Sequence, residues 1–151
     1  HLKPSSEIGF HLILYNHRPN IGGIVHTHSV YATTLACLNR EIPPVHYLIG
    51  SAGPKVPVAP YATFGTASLA EHIWRTMGTD YQAALLANHG LVAVGRDLPK
   101  ALGTAANIEF VARVFCQAQS IGSPTVLSEE AMAQVIAKFE TYGIQDRARE
   151  V

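Results

Sequence analysis

The sequence predicts a layered α/β domain, and three observations carry that reading. Apolar runs of strand length, one ending at Ile24-Val25-His26, others at 83–87 and 91–94, alternate with segments whose apolar residues recur at helical spacing. Hydrophobic residues make up 48% of the 151 and charged residues 15%, enough to bury the core of one domain. No internal repeat, low-complexity tract or linker divides the chain, so one domain is expected over 1–151.

The chain opens at His1-Leu2-Lys3 without Met and runs at once into Pro4-Ser5-Ser6-Glu7, a helix-start signal, so further residues are expected upstream and the domain reads as N-terminally truncated. Ser5 or Ser6 is placed to cap the first helix, whose face reads as Ile8, Leu12 and Tyr15, widened by Ile13 and Leu14. Asn16-His17-Arg18-Pro19-Asn20 stops it. A strand then ends in the pair His26 and His28, and Ser29 is expected to cap a helix running to about Asn39. Residues 42–65, rich in Pro, Gly and aromatics, read as short extended pieces that build a site better than a core. Beyond them come a helix over 66–77, strands at 83–87 and 91–94 joined by Asn88-His89-Gly90, a long helix capped by Asp97, and a last helix from Ser128 to about Tyr142-Gly143.

The chemistry concentrates in the histidines. Side chains at i and i+2 of a strand share a face, so His26 and His28 can reach one metal ion. His89 ends a second apolar run, at a His-Gly turn where a loop presents a ligand. With 8 His in the chain an H-x-H pair also arises by chance, and a lone histidine is commonly a surface or satisfied core residue. A carboxylate is needed to complete the site. Glu7 is a candidate, although spacing alone favours its complementing the helix dipole, and Glu109, on an otherwise apolar helix, can be a buried partner.

Charge and composition remove several classes. The 11 basic and 11 acidic residues balance, and no Lys/Arg cluster forms, which argues against nucleic acid and anionic membranes as partners. No apolar stretch approaches the roughly 18 residues of a membrane span. Cys37 and Cys116 both fall in apolar helical patterns, where a thiol is expected buried, and two scattered cysteines suggest a reducing, cytoplasmic setting.

In order along the chain, Lys3-Pro4-Ser5-Ser6-Glu7, His26-Thr27-His28, Ile42-Pro43-Pro44-Val45-His46-Tyr47, Tyr61-Ala62-Thr63-Phe64-Gly65-Thr66, Asn88-His89-Gly90, Val126-Leu127-Ser128 and Lys138-Phe139-Glu140-Thr141-Tyr142-Gly143 resemble the class II aldolase and adducin-head family. The likeness covers nearly the whole chain without large gaps. It implies a three-layer αβα fold around a mostly antiparallel sheet. It implies one zinc ion per subunit on His26, His28 and His89, with Glu7 as a resting ligand that can leave to move a proton; the same ligands would also hold Co²⁺ or Mn²⁺.

The resemblance further implies that Ser5 and Ser6 hold a substrate phosphate, a role that suits a helix N-terminus. Tyr47, supplied by a neighbouring subunit, would protonate or hydrogen-bond the aldehyde oxygen, while Phe64 and Tyr142 would shape the aldehyde pocket. The implied reaction cleaves a ketose 1-phosphate of the L-fuculose 1-phosphate type reversibly into dihydroxyacetone phosphate and an aldehyde such as L-lactaldehyde. The implied assembly is a cyclic homo-oligomer, a C4 tetramer, with shared sites. Relatives carry a segment before the position of Lys3 that supplies sheet strands and part of the phosphate pocket. Alternatives within the family are pentulose-phosphate 4-epimerases, which usually have Asp at the position of Glu7, and sugar-acid phosphate decarboxylases. Adducin-type heads, which serve as interaction modules without a working metal site, are a third, and the intact set Glu7, His26, His28 and His89 weighs against them.

Overall fold

The computed structural model describes residues 2–141. Its elements are α1 (Ile8–His17), β1 (Gly23–Thr27), α2 (Val30–Cys37), a 3-10 turn (Tyr47–Ser51), β2 (Val58–Ala59), α3 (Ala67–Met77), β3 (Ala83–Leu86), β4 (Gly90–Gly95), α4 (Leu98–Ile121) and α5 (Glu129–Thr141). The four strands form one sheet in the order β1-β4-β3-β2. Two of its three pairings, β1 with β4 and β3 with β4, are antiparallel, and β2 runs parallel to β3.

Side chains alternate across this sheet and separate two cores. Ala83, Leu85, Leu91 and Ala93 face α2 and α4, meeting Leu35, Ile108, Val111 and Phe115. Ile24, Ala84, Leu86, Val92 and Val94 face α1 and α3, meeting Phe10, Leu14, Leu69 and Ile73. Helices therefore cover both faces, the three-layer αβα arrangement expected. His26 lies in β1 opposite Val92, on the face shared with α1, where its ring meets Phe10 edge-on with centroids 5.4 Å apart.

Local capping fixes several boundaries where the sequence places them. Thr66 Oγ1 accepts the Leu69 N–H at 3.3 Å, Asp97 Oδ1 accepts the Lys100 N–H at 2.7 Å, and Ser128 Oγ accepts the Ala131 N–H at 3.2 Å. Five expectations need correction. The buried face of α1 is Phe10 and Leu14, with Ile8, Leu12 and Tyr15 exposed. The 42–65 segment does build core: Ile42 and Val56 exchange backbone hydrogen bonds and are fully buried, as are Ile49 and Ala52. Cys37 is exposed, since it falls on the outer side of α2. Ser29 makes no side-chain cap bond, and the N-cap position of α1 is taken by Glu7 rather than by Ser5 or Ser6. Among the described residues no helix is long and apolar enough to cross a membrane.

Candidate metal centre and adjoining cavity

The backbone brings three imidazoles from separate places in the chain onto one point. His26 is in β1, His28 follows that strand by one residue, and His89 sits in the turn between β3 and β4. One ring nitrogen from each lies within 4.8 Å of the others. The His26 Nδ1–H donates to the Leu91 carbonyl at 2.9 Å, which fixes that tautomer and leaves the Nε2 lone pair facing His28 Nε2 at 3.1 Å. Burial pushes the imidazoles of His26 and His89 below their ordinary value, so both are neutral at neutral pH and free to donate lone pairs.

The fourth arm comes from the start of α1. Glu7 occupies the N-cap position but makes no cap bond. Instead Ser5 Oγ accepts the Glu7 N–H at 3.2 Å, and the carboxylate turns inward. Its Oε1 stands 3.1 Å from His89 Nε2 and its Oε2 3.4 Å from His26 Nε2. Oε1 is buried and accepts no hydrogen bond. A buried carboxylate oxygen without a donor is costly unless a cation satisfies it. Donors about 2.0–2.1 Å from a tetrahedral ion stand roughly 3.3 Å apart, so these separations suit a small divalent cation bound by three imidazoles and a carboxylate.

Two glycines permit the close approaches. A Cβ on Gly90 would lie 2.4 Å from the Thr27 carbonyl oxygen and 2.9 Å from His28 Cδ2, so the start of β4 can reach these residues only with hydrogen there. Gly65, at φ +75°, lets its loop rest on Ser6, where a Cβ would be 3.0 Å from the Ser6 carbonyl oxygen.

Beside the histidines lies a cavity of about 290 Å³ lined by Ser6, Glu7, His28, Tyr61, Ala62, Phe64, Asn88 and His89. The structure thus gathers Glu7, His26, His28 and His89, and puts Ser6 and Phe64 in the adjoining wall. Ser5 stands next to Glu7 but does not line this cavity. Tyr47 is elsewhere, on the surface at the 3-10 turn, with its ring against His46 (centroids 4.7 Å apart). Tyr142 lies outside the described residues. Tyr61 and Asn88 escaped the sequence reading as wall residues. The available signal was at Asn88, an asparagine before His-Gly, which adopts a left-handed φ of 55° that other side chains avoid.

A profile of the Class II Aldolase and Adducin N-terminal domain matches residues 1–116. Over 143 residues the chain is 50% identical to the 5-deoxy-D-ribulose 1-phosphate aldolase of Bacillus thuringiensis serovar kurstaki, covering 95% of this chain and 67% of that protein. Over 144 residues it is 44% identical to the L-fuculose phosphate aldolase of Escherichia coli K12, covering 94% of this chain and 66% of that protein. A solved L-fuculose 1-phosphate aldolase superposes with a TM-score of 0.91 at 42% identity, covering 93% of this chain and 66% of that one. The chain spans about two thirds of the length of these relatives.

Proposed function

This chain belongs to the class II aldolase and adducin N-terminal domain family, and on that premise we propose that it is a zinc-dependent aldolase cleaving a ketose 1-phosphate reversibly into dihydroxyacetone phosphate and an aldehyde. The observation that carries the reading is Oε1 of the Glu7 carboxylate, buried and without a donor, set against three converging imidazoles of which His28 and His89 line the adjoining cavity. A zinc ion held by His26, His28, His89 and Glu7 would polarise the substrate carbonyl and stabilise the negative charge left when the C3–C4 bond breaks.

The chain's own residues supply the rest. Glu7, in contact with the cavity, exchanges a proton with the carbon of the dihydroxyacetone phosphate half. Ser5 and Ser6 hold the phosphate ahead of α1. Tyr47 of a neighbouring subunit protonates the aldehyde oxygen, and Phe64 and Tyr142 enclose the aldehyde. Substrates of the two named relatives, L-fuculose 1-phosphate and 5-deoxy-D-ribulose 1-phosphate, share a terminal methyl group. Cleavage at C3–C4 gives dihydroxyacetone phosphate from both, with L-lactaldehyde from the first and acetaldehyde from the second. The apolar wall of Tyr61, Ala62 and Phe64 suits such a methyl-ended aldehyde. Two free thiols suit a reducing compartment, and we assign the enzyme to the cytoplasm.

The test is a product assay on the full-length protein with both ketose phosphates, alongside zinc analysis. Release of dihydroxyacetone phosphate supports the proposal. Carbon dioxide from a sugar-acid phosphate, or an epimerised pentulose phosphate, would move the chain to another reaction of the family, and a protein that holds no metal and turns over none of these is an interaction module.

A further inference from the structure

Helix α2 begins two residues after His28, and its first turn is not capped from within. Ser29 stands at the N-cap position with no side-chain cap bond, and its hydroxyl oxygen accepts from Thr27 Oγ1 at 3.3 Å. The backbone amides of Tyr31 and Ala32 instead donate to Glu109, one to each carboxylate oxygen, both at 2.9 Å. Glu109 lies midway along α4, 78 and 77 residues away from these amides, and α4 also packs on β1 and β4. A carboxylate at a helix N-terminus is favourable both for its charge and for the amides it satisfies.

A local serine cap would satisfy α2 as a helix. What the carboxylate from α4 adds is a fixed position for the link between β1 and α2, and that link is Thr27-His28-Ser29. His28 is the exposed member of the three imidazoles, whereas His26 and His89 are partly buried, so packing restrains it least. His26 has in addition its own bond to Leu91. On its other flank His28 is bounded by Gly90, where even a Cβ would come within 2.9 Å of its ring. The ring is therefore set between the start of β4 and the anchored start of α2.

We propose that Glu109 is a positioning residue for the metal centre, holding His28 at its 3.1 Å spacing from His26 by clamping the N-terminus of α2 to α4. The inference rests on the reading of the three histidines as a metal site and names a residue outside it that sets its geometry. Groups that orient metal ligands from behind contribute about 10–100-fold to metal affinity.

The experiment titrates Co²⁺ into the metal-free full-length protein and into Glu109→Ala, Glu109→Gln and Leu35→Ala, reading affinity and the visible d–d band. Leu35, buried in α2, serves as the control for destabilisation alone. Glu109→Ala should lower Co²⁺ affinity about 10–100-fold and alter the band. Glu109→Gln, whose one carbonyl oxygen can accept one of the two amides, should fall between, and it decides the matter if the alanine variant does not fold. Leu35→Ala should melt earlier yet keep the parental affinity and band. A folded Glu109→Gln with parental affinity and band overturns the proposal, as does an equal loss of affinity in Leu35→Ala. Failure of the parental protein to take up Co²⁺ would instead overturn the metal reading beneath it.

Discussion

Glu7 shows how much a single side chain's direction decides. Had its carboxylate folded back on the first turn of α1 it would be an ordinary helix-terminal acid; turned inward, it contacts His26 and His89 and leaves Oε1 buried without a donor. If it is the proposed proton carrier, Glu7→Gln should keep most of its metal, because an amide oxygen still coordinates weakly. The same variant should exchange the C–H proton of dihydroxyacetone phosphate about 10²–10⁴-fold more slowly; exchange at the parental rate would return Glu7 to a structural part. His28→Ala should lose most bound zinc by metal analysis, and retention at parental stoichiometry would remove His28 from the site. Acid should act through the partly buried imidazoles. His11, His26 and His89 are all held below the ordinary 6.5 by burial, so in the window just below that value the unfolded chain binds more protons than the folded one. Stability then rises with pH across that window and is lost as pH falls through it. The urea midpoint of the metal-free protein should drop between pH 7.5 and pH 5.5, and a level midpoint would contradict this.

At the scale of elements, what the sequence made legible was whatever depends on neighbours in the chain. The period of two in His26 and His28, the His-Gly turn at His89, and the cap Asp97 are all local, and all three histidines meet in space. Long-range partners were not legible. Ser29 has the right chemistry and position to cap α2, yet Glu109 takes both amides from another helix. The apolar residues of α1 surround it, so periodicity could not choose between the Ile8-Leu12 side and the Phe10-Leu14 side that meets α3. Proline and glycine in 42–65 hid a core contribution because Ile42 and Val56 pair across 14 residues, without a continuous strand. The close approach at Gly90 was equally invisible and gives a prediction for the β1–β4 pair. Gly90→Ala forces a Cβ to 2.4 Å from the Thr27 carbonyl oxygen. The strand must shift, at a cost of about 1–3 kcal/mol. Because His28 and His89 flank the clash, zinc content should fall together with the melting temperature, and a variant that melts earlier with full zinc would show that the strand yields without moving the ligands.

Across the whole molecule, the two cores fix the histidines at one end of the sheet, and the surface carries the remaining information about assembly. Tyr47 is 51% exposed and Phe110 46% exposed, and both rings lean on His46, with His46 and Phe110 centroids 5.2 Å apart. Ile49, two residues further along the same turn, is fully buried. The patch is therefore aromatic and joins the 3-10 turn to the outer side of α4. Aromatic residues are enriched where one protein pairs with another. Tyr47 does not line the cavity beside its own chain's histidines, which suits the proposal that it serves the site of an adjacent copy in a cyclic tetramer. Mixing subunits tests this directly. Full-length Tyr47→Phe and His28→Ala chains, each inactive alone, are dissociated, combined and allowed to reassemble. Where a Tyr47→Phe chain supplies the intact histidines and a His28→Ala neighbour supplies the intact tyrosine, one complete site forms. Activity should return in the mixture at a fraction of the parental level and rise with the proportion of mixed interfaces. A mixture that stays inactive while parental chains recover under the same treatment would place both residues in the same subunit's site, or remove Tyr47 from the reaction.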